Sequence, residues 1–163
     1  MSKIDSTRLK DFLTYDPKSG QFYWKINRGY HIKVGDVAGC LHHNGYIVIS
    51  IEKQQHQAHR LAWLYVYGEY PKHYIDHING IRSDNKIQNL RDATQAENCQ
   101  NLKKPRGQSG FLGVSIDTFR KNRWKSSIKL NGKNIHLGWF KTPEEASQAY
   151  IQAKRQFHPF NTL

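Results

Sequence analysis

The sequence predicts an α+β fold assembled from short antiparallel strands and short helices. Three observations carry that prediction. Its β-branched runs are short, as in "GYIVISI" (45–51), too short for buried helices and well suited to strands. Asn-Gly pairs at 44–45, 79–80 and 131–132 punctuate the chain, and that dipeptide is a strong hairpin signal. The best-signalled helix, "TPEEASQAYIQAKRQF" (142–157), follows a run of three strand-like segments rather than alternating with them, which argues against a parallel α/β sheet.

Taken in order, "STRLKDFLTYD" predicts a short helix capped by Ser6 or Thr7, with Leu9, Phe12 and Leu13 on one face. "DPKSGQFYWK" predicts a turn leading into a strand, and "EKQQ" closes a hairpin after strand 45–51. "HQAHRLAWLYVYG" (56–68) predicts a helix with Leu61, Leu64 and Tyr65 on one stripe and Gly68 at its end. "YPKHYIDHING" returns as a strand and turn, "SDNKIQNLRD" as a polar strand or loop, and "ATQAENCQNL" as a short helix capped by Thr94 with Glu97 as its capping-box partner. A basic Pro/Gly-rich linker, 103–109, then separates residues 1–102 from residues 110–163. Beyond it, "FLGVSIDT", "RWKSSIKL" and "KNIHLGWF" predict a three-stranded antiparallel sheet packed on the helix 142–157. In that helix Thr142 is the cap, Pro143 takes the first turn, and Ala146, Ala149, Tyr150 and Ala153 form the apolar stripe.

The net charge is +12, which points to a polyanionic partner. Residues 1–98 hold 13 Lys/Arg against 10 Asp/Glu, whereas residues 99–163 hold 12 against 3. The C-terminal part, at +9, is the expected electrostatic grip. No apolar run approaches the roughly 20 residues needed to span a bilayer, so no membrane association is expected. Cys40 and Cys99 form no CxxC pair, which excludes a zinc finger and suits a reducing cytoplasm. "MSKIDSTRLKDF" lacks a signal-peptide core, and no obligate protein partner is evident.

Chemistry concentrates in "YIDHINGIRSDNKIQNLRDATQAEN" (74–98). Asp76 and His77 precede a turn, Asn89 lies on the return and Asn98 on the following helix. A carboxylate and an amide oxygen from different elements can converge on a hard cation; magnesium keeps several waters and needs few protein ligands. A neutral imidazole, titrating near 6.5, can take a proton from water. Such a set suits phosphodiester hydrolysis. Adjacent strand residues point to opposite faces, so Asp76 and His77 share a site only if the strand ends or bulges there. "DHING", "DN", "NLR" and "EN", with the upstream "AHRLAW" (58–63), resemble the HNH endonucleases of the phage and intron homing type over residues 45–101. The resemblance implies a ββα-metal unit in which His77 activates water, Asp76 and Asn98 bind a divalent metal (magnesium, with manganese an alternative), and Asn89 ties the hairpin loop. Asn98 stands where many members carry histidine, which disfavours zinc.

Other histidines carry less. His56 and His59, three apart on the predicted helix, read as packed or hydrogen-bonded residues rather than ligands, and His42-His43 as a solvent-exposed loop pair.

In the basic C-terminal part, "GFLGVS", "RWKSSIKLNGK", "IHLGWF" and "TPEEASQAY" resemble the plant ethylene-response-factor (Apetala-type) DNA-binding domain over residues 109–157. The resemblance implies a sheet in the major groove, with Trp124 and Lys129 at DNA-contacting positions. Ser115 and His136 stand where that family has arginine and tryptophan. Arg91, Lys103, Lys104, Arg106, Arg120, Lys121, Arg123, Lys125 and His136 complete the expected DNA contacts, and Trp139 is expected in the core. The expectation is a metal-dependent double-stranded DNA endonuclease, cytoplasmic (in a bacterial host cell if of phage origin) and leaving 5′-phosphate and 3′-hydroxyl ends. A non-catalytic DNA-binding regulator is the alternative.

Overall fold

A computed structural model describes residues 4–102, 105, 107–119 and 123–162. The architecture is α+β, with small antiparallel sheets and four helices among the described residues. Two compact units divide between Gln95 and Ala96.

In the first unit, helix α1 (Ser6–Phe12) is capped by Asp5, whose Oδ1 accepts from the Arg8 amide at 2.8 Å. Ser6 and Thr7, the expected caps, lie inside the helix. Asp5 holds extended dihedrals and so presents its carboxylate to the open first turn. The expected helix also stops early. Leu13–Asp16 form strand β1, because Leu13 and Tyr15 alternate inward and pair with Trp24 and Phe22 of β2 (Gln21–Trp24). Strand β3 (Val37–Ala38) completes that sheet. A second sheet follows: β4 (Cys40–Leu41), β5 (Ile47–Ile51) and β6 (Gln54–Gln57), with Glu52 and Lys53 both at positive φ in the tight turn.

Helix α2 (Ala58–Tyr67) starts two residues later than expected, because the β5–β6 ladder runs through Gln57, paired with Val48. His56 is therefore a strand residue, not a helical neighbour of His59. The helix buries Ala58, His59, Leu61, Ala62 and Leu64 and ends on Gly68 at φ +79°. Strands β7 (Tyr74–His77) and β8 (Leu90–Ala93) form a two-stranded antiparallel ladder, with a 3-10 turn over Ile87–Asn89 entering β8. Leu9, Leu13, Phe22, Trp24, Ile49, Ile51, Leu61 and Ile75 are among the core residues that unite these elements. Helix α3 (Gln95–Gln100) lies at the division between the units.

In the second unit, β9 (Val114–Ile116), β10 (Trp124–Leu130) and β11 (Lys133–Phe140) form an antiparallel sheet in the order β11-β10-β9. Asn131 and Gly132, both at positive φ, make the β10–β11 turn. Helix α4 (Pro143–Phe157) packs on the sheet. Thr142 and Glu145 form a reciprocal capping box, with Pro143 in the first turn. Ala146 and Ala153 of the helix, and Val114, Ser126 and Ile128 of the strands, are buried. The other sheet face is solvent-facing. A register shift at Ser126/Ser127 pairs Gly138 and His136 with successive β10 residues. The extra β11 residue lets His136 and Trp139, three apart, meet with ring centroids 4.0 Å apart. Trp139 is 42% exposed; the expectation that it is a core residue is corrected. No helix among the described residues is long and apolar enough to cross a membrane.

Candidate active site

The β7–β8 hairpin brings Asp76, His77 and Asn89 into one small element. Asn89 is buried at the end of the 3-10 turn and binds the loop across the hairpin. Its Oδ1 accepts from the Asn79 amide at 3.0 Å, and its Nδ2 donates to Asn79 Oδ1 at 3.1 Å and to the Asp84 carbonyl at 2.8 Å. Asn79 Nδ2 donates to Asp84 Oδ2 at 2.8 Å. These bonds satisfy loop groups that burial would otherwise leave unpaired.

Asp76 and His77 are both 5% exposed. Asp76 sits opposite Arg91 in the ladder, and its Oδ2 accepts from Arg91 Nη2 at 2.6 Å and Nε at 2.8 Å. Arg91, expected among the DNA contacts, is thus engaged with Asp76. His77 is opposite Leu90, and its surroundings are aromatic. The His77 ring lies edge-on to His59, centroids 5.1 Å apart, and 5.9 Å from Tyr46; Tyr46 and His59 are 5.0 Å apart. Nε2 of His77 approaches Asn85 Oδ1 at 3.4 Å. With that nitrogen donating, Nδ1 is the basic one.

Burial drives the titration of His77 below the ordinary imidazole value, against the Asn85 hydrogen bond and the charges of Asp76 and Asp84, which favour the cation. The ring is therefore neutral at neutral pH. Burial also pulls His59 down to about 3, with the nearby His77 and Arg60 acting in the same direction.

Asn85 is itself held from the N-terminal hairpin. The Tyr15 hydroxyl donates to the Asn85 carbonyl at 2.7 Å, and burial pushes that phenol up to about 12, so it stays a donor. Gly20, at φ +75°, allows the β1–β2 turn to lie on this segment; a Cβ there would stand 2.4 Å from the Lys86 nitrogen. Asn85, Tyr46 and Tyr15 were not foreseen as site residues. The "DN" of the HNH resemblance includes Asn85 but assigns it no role, and the tyrosines read as ordinary sheet residues.

Asn98 lies on α3, in the second unit. Of the expected DNA contacts, Arg123, Lys125, Lys129 and His136 are exposed and Trp124 is half-buried, opposite Phe140 and Ile116. Lys103, Lys104, Arg106, Arg120 and Lys121 lie outside the described residues. His43 is exposed, but His42 is partly buried against it, with ring centroids 4.0 Å apart; the expectation of full exposure fails for His42. Among the described residues no group of three or more His, Cys, Asp or Glu side chains is placed to hold a metal.

Residues 56–100 match the family model described as HNH endonuclease and form an HNH endonuclease domain. The chain is 36% identical over 77 residues to Protein 3.8 of Escherichia phage T7, covering 46% of this chain and 63% of the relative. It is 31% identical over 120 residues to an uncharacterized HNH endonuclease of Acanthamoeba polyphaga mimivirus, covering 72% of this chain and 61% of the relative. The chain thus spans less than two thirds of the length of each of these curated relatives. No solved structure matches it.

Proposed function

We propose that this protein is a metal-dependent endonuclease of double-stranded DNA, of the homing type, that hydrolyses phosphodiester bonds to 5′-phosphate and 3′-hydroxyl ends. The observation that carries the reading is His77: a buried, neutral imidazole beside a carboxylate, at the mouth of a hairpin locked by Asn89, within the segment that matches the HNH model. His77 takes a proton from the attacking water, and the Asn85 contact and the rings of His59 and Tyr46 hold its plane. The donor chemistry of Asp76 and Asn98, one carboxylate and one amide oxygen, suits a hard divalent cation such as magnesium or manganese better than zinc. Asp76 would hold the ion at the hairpin, and the ion when bound supplies charge neutralisation at the phosphate and leaving oxygen.

In this proposal the second unit grips DNA in the manner of the ethylene-response-factor domain, with Lys125, Lys129, His136 and Trp139 on the open sheet face and Arg123 just before β10. The +9 charge of residues 99–163 supports that role, and a host cytoplasm is the setting in which viral relatives would meet DNA.

A second reading, a DNA-binding regulator without cleavage, draws on one observation: Arg91 already neutralises Asp76 with two nitrogens on one oxygen. Incubation with supercoiled plasmid and phage or host DNA, with magnesium and with EDTA, decides between them. Magnesium-dependent nicking or linearisation with 5′-phosphate ends supports the nuclease; retarded but intact DNA in every metal supports the regulator.

A further inference from the structure

We propose a phosphate-binding pocket at the start of α2, separate from the His77 centre, that takes a backbone phosphate of the DNA. This inference rests on the DNA-directed reading above. The pocket is a solvent-facing cavity of about 420 Å³ between the β4–β5 turn, β5, β6 and the first turn of α2. Its lining includes His42, Asn44, His56, Gln57, Arg60 and Tyr70, and none of Asp76, His77 or Asn85.

Four features make it an anion site. No carboxylate lines it. Arg60 has no carboxylate partner within ion-pair distance among the described residues, and its guanidinium lies over the Tyr70 ring, 5.7 Å from the centroid. That cation–π contact occupies the face of the guanidinium and uses none of its N–H donors. His42 and His56 place two imidazoles on its lining, each able to donate an N–H to an anion. Finally, Gln57 gives α2 no side-chain cap, and no acid stands in its first turn. The positive end of the helix therefore adds to Arg60 instead of being spent internally.

A phosphate rather than a carboxylate ligand fits the cavity's breadth and its several donors: a guanidinium, two imidazoles and the amides of Asn44, Gln55 and Gln57. The pocket also joins the proposed reaction centre through one loop. Asn44 lines the cavity, its carbonyl accepts from Arg82 Nη1 at 2.9 Å, and Tyr46 two residues on packs against His77. A strand anchored here would be registered against the imidazole.

The test uses the full chain with EDTA present, so that no DNA is consumed. Duplex affinity is measured by fluorescence anisotropy over a salt series for wild type and Arg60→Gln, with thermal melting as the check on folding. Loss of one phosphate contact should weaken binding roughly tenfold and flatten the log–log salt slope by about 0.9. Arg60→Lys should restore most of the slope, since the charge returns. In a second arm, inorganic phosphate and a deoxynucleoside monophosphate are titrated while the amide resonances of residues 56–61 are followed. Shifts in wild type that vanish in Arg60→Gln, together with the changed slope, support the proposal. Shifts with an unchanged slope assign the pocket to free phosphate or nucleotide and overturn the DNA contact. An unchanged slope without shifts overturns the pocket altogether. Failure of the nuclease reading would show separately, as absence of magnesium-dependent cleavage by the wild type.

Discussion

Arg91 reaches a single oxygen of Asp76 with two nitrogens, at 2.6 and 2.8 Å, across the β7–β8 ladder. The Asp76 side chain is 6% exposed and that of Arg91 23%, so solvent screens the pair poorly. Removing one partner leaves the other charge in a site built for both. Arg91→Ala should lower stability by about 3 kcal/mol. Asp76→Asn combined with Arg91→Ala should show a coupling of at least about 1 kcal/mol in a double-mutant cycle. Urea unfolding measures both, and strictly additive losses would show that the contact carries no weight in solution.

His77→Ala should abolish strand cleavage while leaving duplex affinity nearly unchanged, because the imidazole acts on water and not on phosphate. The wild-type rate should rise with pH and level off at an inflection below the ordinary imidazole value, since burial depresses the base. Single-turnover cleavage across a pH series tests this. Wild-type rates from the variant, or an inflection above 6.5, would remove His77 from the role of base.

Tyr15 acts on the site from a distance. Its hydroxyl is the donor to the Asn85 carbonyl, and Asn85 is what His77 Nε2 faces. Tyr15→Phe leaves that buried carbonyl without its donor, and a loss of about 1–3 kcal/mol follows. The cleavage rate at saturating DNA should fall severalfold with little change in affinity, because the imidazole loses its fixed orientation. A variant that melts earlier yet cleaves at full rate would make Tyr15 a stability residue only.

These relationships separate what the sequence carries locally from what only the fold creates. The Asn131-Gly132 turn, the Thr142–Glu145 capping box and the β5 strand depend on neighbours within a few residues, and they are legible as such. Asp76 and His77 are visible because they adjoin one another and a turn. The Asp76–Arg91 and Tyr15–Asn85 pairs are not, since each depends on the register or packing of elements 15 and 70 residues apart. Leu9, Phe12 and Leu13 read as one helical stripe; Leu13 instead begins a strand because Trp24 and Phe22 offer a pairing edge. Trp139 reads as core by its apolar neighbours, and only the bulge at Ser126/Ser127 reveals that it shares the open face with His136.

His59 makes the first unit acid-sensitive. Its folded value is about 3 and its unfolded value about 6.5. Above pH 6.5 both states are neutral and the residue contributes no pH dependence. Below it, the unfolded chain binds a proton that the folded chain refuses, so stability falls as pH drops from 6.5 towards 3. The slope approaches about 1.4 kcal/mol per pH unit for a full proton difference. His59→Phe keeps a ring against Tyr46 and His77 and removes the titration. Its unfolding free energy should change less than that of the wild type between pH 7 and pH 5. Equal changes would place the acid sensitivity elsewhere.

The two tryptophans of the second unit should separate DNA contact from core. Trp139 is exposed and packed against the tilted ring of His136, and its Nε1 donates to Asp117 Oδ2 at 2.7 Å. That bond and the ring contact hold the indole on the face that also presents Lys125 and Lys129. Trp124 is half-buried between Phe140 and Ile116 across its two neighbouring strands. Trp139→Ala should weaken duplex binding with little change in melting, because an aromatic surface already in place is lost. Trp124→Ala should lower the melting temperature, because a partly filled space opens beside the strands. Lys129→Ala, removing one charge from the same open face, should flatten the salt slope by about 0.9 if it meets one phosphate. Anisotropy and melting on the three variants measure these effects. If Trp139→Ala and Lys129→Ala both bind as tightly as wild type at every salt concentration, the open face of the sheet is not where the second unit meets DNA.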